Sequence, residues 1–350
     1  MKRLALLTYC SSTGLAYQGL SYYKHLHPSK TMLVDLSQYN HMPLNPEWYP
    51  DAWRMVHGFP TDQDCDEFLQ DVDVLLVAET PLNYYLFKRA KELGIRTCLV
   101  FNYEFLDYLL PNAYRTDHFV IPDILAAPST WHIDQVRRLP GAHVEELPLP
   151  VDLDELPQRE LSHARHFFHI AGRPAIHDRA GTLDFIAAVK LAHHLMPEAT
   201  FTLYLQQPTP EIRAAMDQAP MINRVWNVPN VADLYAEGEV MVMPRRYGGQ
   251  SLPVNEAIGC GIPVLMTDCP PNSDWLPKDW LIPVKPNPQK FMTRTMIDIY
   301  SVQTQALAQR LLDLYRDDSR VQAMHEQAKE IAQRRSWEAL KPRYEEVLGL

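Results

Sequence analysis

The chain has 350 residues, 46% of them hydrophobic and 22% charged, with a formal net charge of −10. That length suits two globular domains, each with its own core, and the composition excludes disordered, fibrous and collagen-like classes. The acidic balance disfavours non-specific attachment to DNA phosphates or anionic lipid, and no apolar run is long enough to span a bilayer, so stable membrane insertion is not expected.

Five scattered cysteines (Cys10, Cys65, Cys98, Cys260, Cys269) form no C-x-x-C pair. They read as buried thiols of a reducing compartment, and the expected location is cytoplasmic. The opening MKRLALLTYCSS imitates a signal peptide, but its apolar core is short and no small-x-small cleavage pattern follows.

In chain order, residues 4–8 are a continuous apolar run, as in a strand covered on both faces. Ser11, Ser12, Thr13 and Gly14 make a turn into a helix over 15–25, and 31–35 is a second strand. The stretch 37–60 has no clear period and holds Trp48, Tyr49, Trp53 and His57. It either frames a pocket or is a loop anchored by its own aromatics. Asp71 and Asp73 spell a D-x-D, but they simply open the strand 74–78, and no metal is assigned to them.

That strand ends at Glu79, and the strand 98–101 ends at Asn102, Tyr103 and Glu104, ahead of a helix over 105–110. Carboxylates just past the carboxyl ends of parallel strands can orient a hydroxyl or take its proton. Glu104 has helix capping as its alternative role, and Asp107 is expected to be structural. After the strand 124–127, Ser129 or Thr130 is the expected N-cap of a helix ending near Arg138. His132 there either touches a ligand or lies on the surface. Residues 144–151 read as the last strand of the first half, and the charged, proline-bearing 152–166 as a linker. The expected domains are 1–160, 161–325 and a closing helical segment 326–350.

The second half opens with a strand at 167–171, followed by Gly172, Arg173, His177, Asp178, Arg179 and Gly181, then a helix over 181–195. Strands follow at 200–205 and 222–226; beyond the latter Trp226 and Val228 flank a loop, and Trp226 is either core or site. A short helix at 233–236 and a strand at 240–243 lead to Arg245, Arg246, Gly248 and Gly249. A helix over 253–259 and a strand at 262–266 complete a βαβ unit. Free amides at that helix start suit an anion, the glycines permit close approach, and Glu256 lies one turn in. Residues 300–348 are helical by period, with Trp337 and Tyr344 packing the last helix.

The stretch RRYGGQSLPVNEAIGCGIPV resembles the donor-binding signature of retaining GT-B glycosyltransferases of the GT4-like group. Gly249, Leu252, Pro253, Glu256, Ala257, Gly261, Pro263 and Val264 match its pattern. The first acid of that pattern, which helps hold the sugar hydroxyls, is Gly248 here. The RRYGG…NEA form is similar to a phage and actinobacterial sub-group. The loop 172–181 resembles the family's G-R-…-K-G loop, with Arg173 at the Arg position and Arg179 near the Lys position, one residue out of register.

The resemblance implies an α/β GT-B fold: two Rossmann-like domains with parallel sheets facing a cleft, and a last helix crossing back to the first domain. It also implies metal-independent transfer, with retention, from a nucleotide-diphospho-sugar, UDP-sugar favoured, and no other cofactor. The donor contacts it implies are Gly14, Arg173, Arg179, Val228, Arg245, Gly248, Gly249, Gln250, Ser251, Leu252 and Glu256. Its catalytic candidates are Arg173, Arg179, Glu79 and Glu104. Gln250 is a candidate sugar contact in place of the lost acid.

The acceptor is not written in the sequence. A glycan, a protein, a small molecule and a modified DNA base are all open, the last served by a local basic patch of Lys88, Arg89, Lys91, Arg137 and Arg138. A monomer or homodimer is expected. The rival readings are a nucleotide-sugar epimerase or phosphorylase on the same fold, and a non-catalytic binder that kept the nucleotide pocket.

Overall fold

The computed structural model describes residues 2–110, 119–173, 176–228 and 230–350. Residues 174–175, inside the expected phosphate loop, and 229, beside the expected base loop, lie outside the described residues. The chain divides into two compact units. One comprises Met1–Leu149, Thr293–Thr295 and Trp337–Leu350; the other comprises Pro150–Met292 and Met296–Ser336.

In the first unit, β1 (Leu4–Tyr9), α1 (Gly14–Leu26), β2 (Lys30–Asp35), α2 (Ser37–Asn40), β3 (Arg54–His57) and α3 (Asp62–Phe68) come first. Then follow β4 (Val74–Ala78), α4 (Tyr85–Glu92), β5 (Arg96–Val100), β6 (Ile124–Ala127), α5 (Ile133–Arg137) and β7 (Val144–Glu146). The seven strands form one sheet in the order β3-β2-β1-β4-β5-β6-β7, and every pairing is parallel. The strands at its centre are buried along their whole length, which is why they read as unbroken apolar runs.

In the second unit, β8 (His166–Gly172), α6 (Thr182–Ala192), β9 (Thr200–Leu205), α7 (Pro210–Asp217), β10 (Ile222–Trp226) and β11 (Val240–Met243) come first. Next are α8 (Leu252–Gly259), β12 (Val264–Thr267), β13 (Leu281–Ile282), β14 (Gln289–Met292) and β15 (Met296–Ile299), then α9 (Thr304–Arg316) and α10 (Asp318–Arg334). Six of these strands make a second parallel sheet, β10-β9-β8-β11-β12-β13. Its core joins Phe167, Phe168, Phe185, Val242, Ile258 and Leu311.

The last helix, α11 (Trp337–Leu348), belongs to the first unit. Trp337 Nε1 donates to Ser21 Oγ at 2.6 Å, and the buried Tyr344 hydroxyl donates to the Pro148 carbonyl at 3.0 Å. Both aromatics pack as their spacing predicts, against Tyr22 of α1.

Several local expectations are corrected. The helix expected over 105–110 is two short 3-10 turns, Tyr103–Phe105 and Asp107–Leu109. The cap of α5 is His132, in the left-handed region at φ 55°, with no side-chain bond; Ser129 instead accepts from the Trp131 amide at 3.4 Å. The unpatterned 37–60 contains β3, an edge strand paired with β2. The 233–236 helix is a 3-10 turn, Val231–Leu234, and 300–348 is divided into three helices. An antiparallel β14–β15 hairpin has no counterpart in the sequence reading.

Candidate functional site

Open parallel sheets bind ligands at the carboxyl ends of strands where the strand order reverses. In the second unit that point lies between β8 and β11, and the loops after these strands, 172–181 and 244–251, meet there. Four interactions join them. The Arg246 amide donates to the Arg179 carbonyl at 2.9 Å, and Arg246 Nη1 donates to the His177 carbonyl at 2.9 Å. The Tyr247 hydroxyl donates to the Ile176 carbonyl. Gly181, at φ 76°, packs so closely that a Cβ would lie 1.9 Å from the Pro244 carbonyl oxygen. No larger residue fits there.

The first loop is built by α6. Asp178 accepts from the amides of Thr182 at 3.0 Å and Leu183 at 2.8 Å, so a carboxylate of the chain itself caps this helix. Behind it, His169 is fully buried. Its Nδ1 meets the Val242 carbonyl at 2.7 Å and its Nε2 meets Thr182 Oγ1 at 3.1 Å. Because a carbonyl only accepts, Nδ1 carries the proton and Nε2 accepts from the threonine. Burial pushes its pKa down to about 4, so the ring is neutral. Arg173 follows Gly172, which has φ 56°, and is exposed; Arg179 is half-buried.

The second loop is the glycine turn. Gly248 stands at φ 99°, a conformation that a side chain would strain. Arg245 Nη2 donates to the Gly249 carbonyl at 3.2 Å, bracing the turn from within. Arg246 is committed to the Tyr300 carbonyl, Ser301 Oγ and the His177 carbonyl, so this arginine is structural. Gln250 leads to Ser251, the N-cap of α8. Its Oγ does not bond to the helix; it is buried without a hydrogen-bond partner among the described residues. Leu252 and Pro253 begin the helix, and the amides of Val254 and Asn255 both turn back to the Ser251 carbonyl. Helix start, glycine turn and orphaned hydroxyl together form a cradle with donors to offer an anion.

Glu256 is partly buried and accepts from the Tyr235 hydroxyl. Burial raises its pKa, with the tyrosine bond opposing, and Tyr235 itself is pushed well above its ordinary value by burial and by Glu256. Val228 packs on the core of this unit, next to Asn227 at φ 50°. Trp226, left open between core and site, is 46% exposed.

Sequence reasoning missed four residues around these loops: Asp178, His169, Tyr235 and Arg335. The run Asp233, Leu234 and Tyr235 in the short helix expected at 233–236 was a usable signal for Tyr235. Arg335 had none, since only folding brings the end of α10 to the glycine turn.

In the first unit, the order reverses between β1 and β4. Gly14 is the exposed first residue of α1, behind the Thr13 cap. Glu79 lies past β4 in the left-handed region at φ 64° and accepts from Asn102 Nδ2 at 2.6 Å. Beside it the Tyr9 hydroxyl donates to the Thr80 carbonyl at 3.1 Å. Glu104 sits in the first 3-10 turn and is 2% exposed. The acids 71 and 73 pair with Arg3, each at 3.2 Å. Among the described residues, Glu160, His325 and Glu326 have metal-ligand spacing. Lys329 already meets Glu160 at 3.5 Å and Glu326 at 2.8 Å, and His325 Nδ1 meets the Gly261 carbonyl at 2.6 Å, so the cluster is balanced internally.

Solved structures match the chain over both units. HepE of Anabaena, in complex with UDP, aligns over 100% of each chain at 13% identity with a TM-score of 0.72. Sucrose-phosphate synthase from Thermosynechococcus elongatus covers 99% of this chain and 98% of its own at 14% identity, TM-score 0.69. The fold is GT-B. The GT-B architecture here consists of the two parallel sheets, with α11 returned to the first unit. Residues 166–317 match the family model described as glycosyl transferases group 1. The pneumococcal O-GlcNAc transferase GtfA, in complex with UDP and GlcNAc, matches at 17% identity and TM-score 0.60. The chain spans 56% of GtfA's length and 60% of that of TarM from S. aureus. A search of curated proteins found no match. No described helix is long and apolar enough to cross a membrane.

Proposed function

We propose that the protein is a GT4-like glycosyltransferase that moves a sugar from a nucleotide-diphospho-sugar, UDP-linked, to an acceptor hydroxyl with retention at the anomeric carbon. The observation that carries this is the cradle at α8. A serine hydroxyl buried without a partner among the described residues and a glycine turn at positive φ adjoin a loop bearing Arg173 and Arg179. The family match over this unit, and relatives crystallised with UDP, support the same reading.

The leaving group is a diphosphate, so charge builds on phosphate oxygens as the anomeric bond lengthens. Arg173, Arg179 and the amides and hydroxyl around Gly249, Gln250, Ser251 and Leu252 are the partners aimed at that charge. Guanidinium groups bind such oxygens in pairs. Glu256 accepts from the nucleotide ribose, and Val228 lines the base loop. The resemblance assigns Gly14 a donor contact and Glu79 the orienting of the acceptor hydroxyl, whose proton the departing phosphate takes. The enzyme works in the cytoplasm, where nucleotide-sugars are available.

The test is a panel of UDP-, GDP- and ADP-sugars scored by melting shift and by donor hydrolysis, with product stereochemistry read by NMR. A UDP-sugar should raise the melting temperature, and Arg173→Ala should abolish the shift. An unchanged shift in that variant contradicts the assigned phosphate site, and an inverted product contradicts retention.

A further inference from the structure

The antiparallel hairpin of β14 and β15 belongs to neither parallel sheet. A lone pair of strands is marginal in water, so packing must hold it. Its register sets Phe291 opposite Ile297 and Met292 opposite Met296, which separates two faces. The outer face carries the Lys290–Asp298 ion pair and the exposed Met292 and Met296. Ile297 and Ile299 are buried on the other face, which also bears the half-buried Phe291. An antiparallel bridge between Val284 and Val302 closes the base. Just past β15, the Tyr300 amide donates to the Arg246 carbonyl at 2.9 Å, and the Arg246 guanidinium donates to the Tyr300 carbonyl and Ser301 Oγ.

That docking brings Phe291 onto the segment Ile176–Gly181. Its ring meets His177 edge-on, with 4.9 Å between centroids and 81° between planes, and lies 5.8 Å from the Tyr247 ring. Tyr247 is buried and donates its hydroxyl to the Ile176 carbonyl. The segment needs such support. His177 and Asp178 are consecutive non-glycine residues at φ 58° and 50°, a conformation that persists only where the surroundings over-determine it. In that conformation Asp178 accepts from the Thr182 and Leu183 amides through its side chain and from the Gly181 amide, at 2.8 Å, through its carbonyl. The Arg179 carbonyl accepts from the Arg246 amide. The backbone that carries Arg179 is therefore set by a strained pair whose first member lies against Phe291.

We infer that the β14–β15 hairpin is a positioning element for the donor: through Phe291 it holds residues 176–181 in the left-handed form that presents Arg179 to the diphosphate. This rests on the donor reading for the diphosphate, whereas the grip on 176–181 stands on the second unit alone. The contact is edge-to-face, so a ring is what the position requires, and an aliphatic side chain reproduces it only in part.

The test measures hydrogen exchange in the ligand-free full chain, then binding of UDP and of uridine, which lacks the diphosphate. In Phe291→Ala the amides of Gly181, Thr182 and Leu183 should exchange about fivefold faster, the scale of one lost ring contact. UDP affinity should fall by a similar factor while uridine affinity holds. Phe291→Tyr, which keeps the ring, should restore both, and Met292→Ala, on the outer face, should change neither. The inference is overturned if exchange at 181–183 in Phe291→Ala equals that of the parent. It is equally overturned if UDP and uridine lose affinity alike, since that marks general damage to the fold. A parent chain that ignores UDP would instead sink the donor reading, and the exchange measurement would still judge the grip of Phe291 on the segment.

Discussion

Arg335 donates from its guanidinium to the side-chain carbonyl of Gln250 at 2.9 Å. The same group reaches Asn255 Oδ1 at 3.2 Å and stacks on Trp275 with 4.2 Å to the ring centroid. The Arg335 carbonyl accepts from the Val151 amide at 2.8 Å. One residue therefore pins the far side of the glycine turn to α8 and to the chain segment that opens this unit. Arg335→Met keeps the stacking area but loses both side-chain bonds. It should weaken UDP binding about five- to tenfold, measured by calorimetric titration. Lysine should not restore it, because its single point charge cannot reach two acceptors in a fixed plane.

Ser251 offers a sharper test, because its hydroxyl is buried and unpaired among the described residues. Removing an unsatisfied buried group relieves a desolvation cost. Ser251→Ala should thus melt at the same temperature as the parent or higher when free of ligand, yet show a smaller shift with UDP. A lower melting point without ligand would mean the hydroxyl has a structural partner.

The Glu256–Tyr235 pair sets a pH dependence. Burial raises the Glu256 pKa, so between the ordinary carboxylate value and the raised one the native state holds more proton than the unfolded chain. This contribution to stability is complete at acid pH and is lost as pH rises through that window. Glu256→Gln should remove that slope, melting near neutral pH no lower than the parent, while its UDP affinity falls. Melting curves across the acid-to-neutral range read both effects.

His169 acts in the opposite direction. Its pKa is held at about 4, below the value of 6.5 that the unfolded chain has. The unfolded state then binds the extra proton first, and stability is lost as pH falls from 6.5 toward 4, by up to about 3 kcal/mol. His169→Gln should flatten acid unfolding over that window. It should also lower the melting point at neutral pH, since the Val242 and Thr182 contacts are both disturbed. An acid limb identical to that of the parent would show that another group dominates.

The strands and the two loops 172–181 and 244–251 were legible because each is a local matter. Val74–Ala78 and Leu4–Tyr9 are apolar on both faces, so a short window suffices to find them. The edge strand Arg54–His57 escaped for the converse reason. Its burial is broken and only its pairing with β2 makes it a strand. The 105–110 segment has helical spacing but settles as two 3-10 turns, with Asp107 bonded to Tyr84 and Arg294.

The sequence by itself determined the alternation of strands and helices, the glycine turn at 248–249, and Arg173 and Arg179 on one loop, since these depend on neighbours within a few residues. Only the tertiary structure decided that Asp178 caps α6, that Arg246 is a brace, that Tyr235 holds Glu256, and that Arg335 reaches Gln250 across 85 positions. Those partners lie far apart along the chain. Their pairing follows from the order in which parallel strands assemble, and no local spacing records that order.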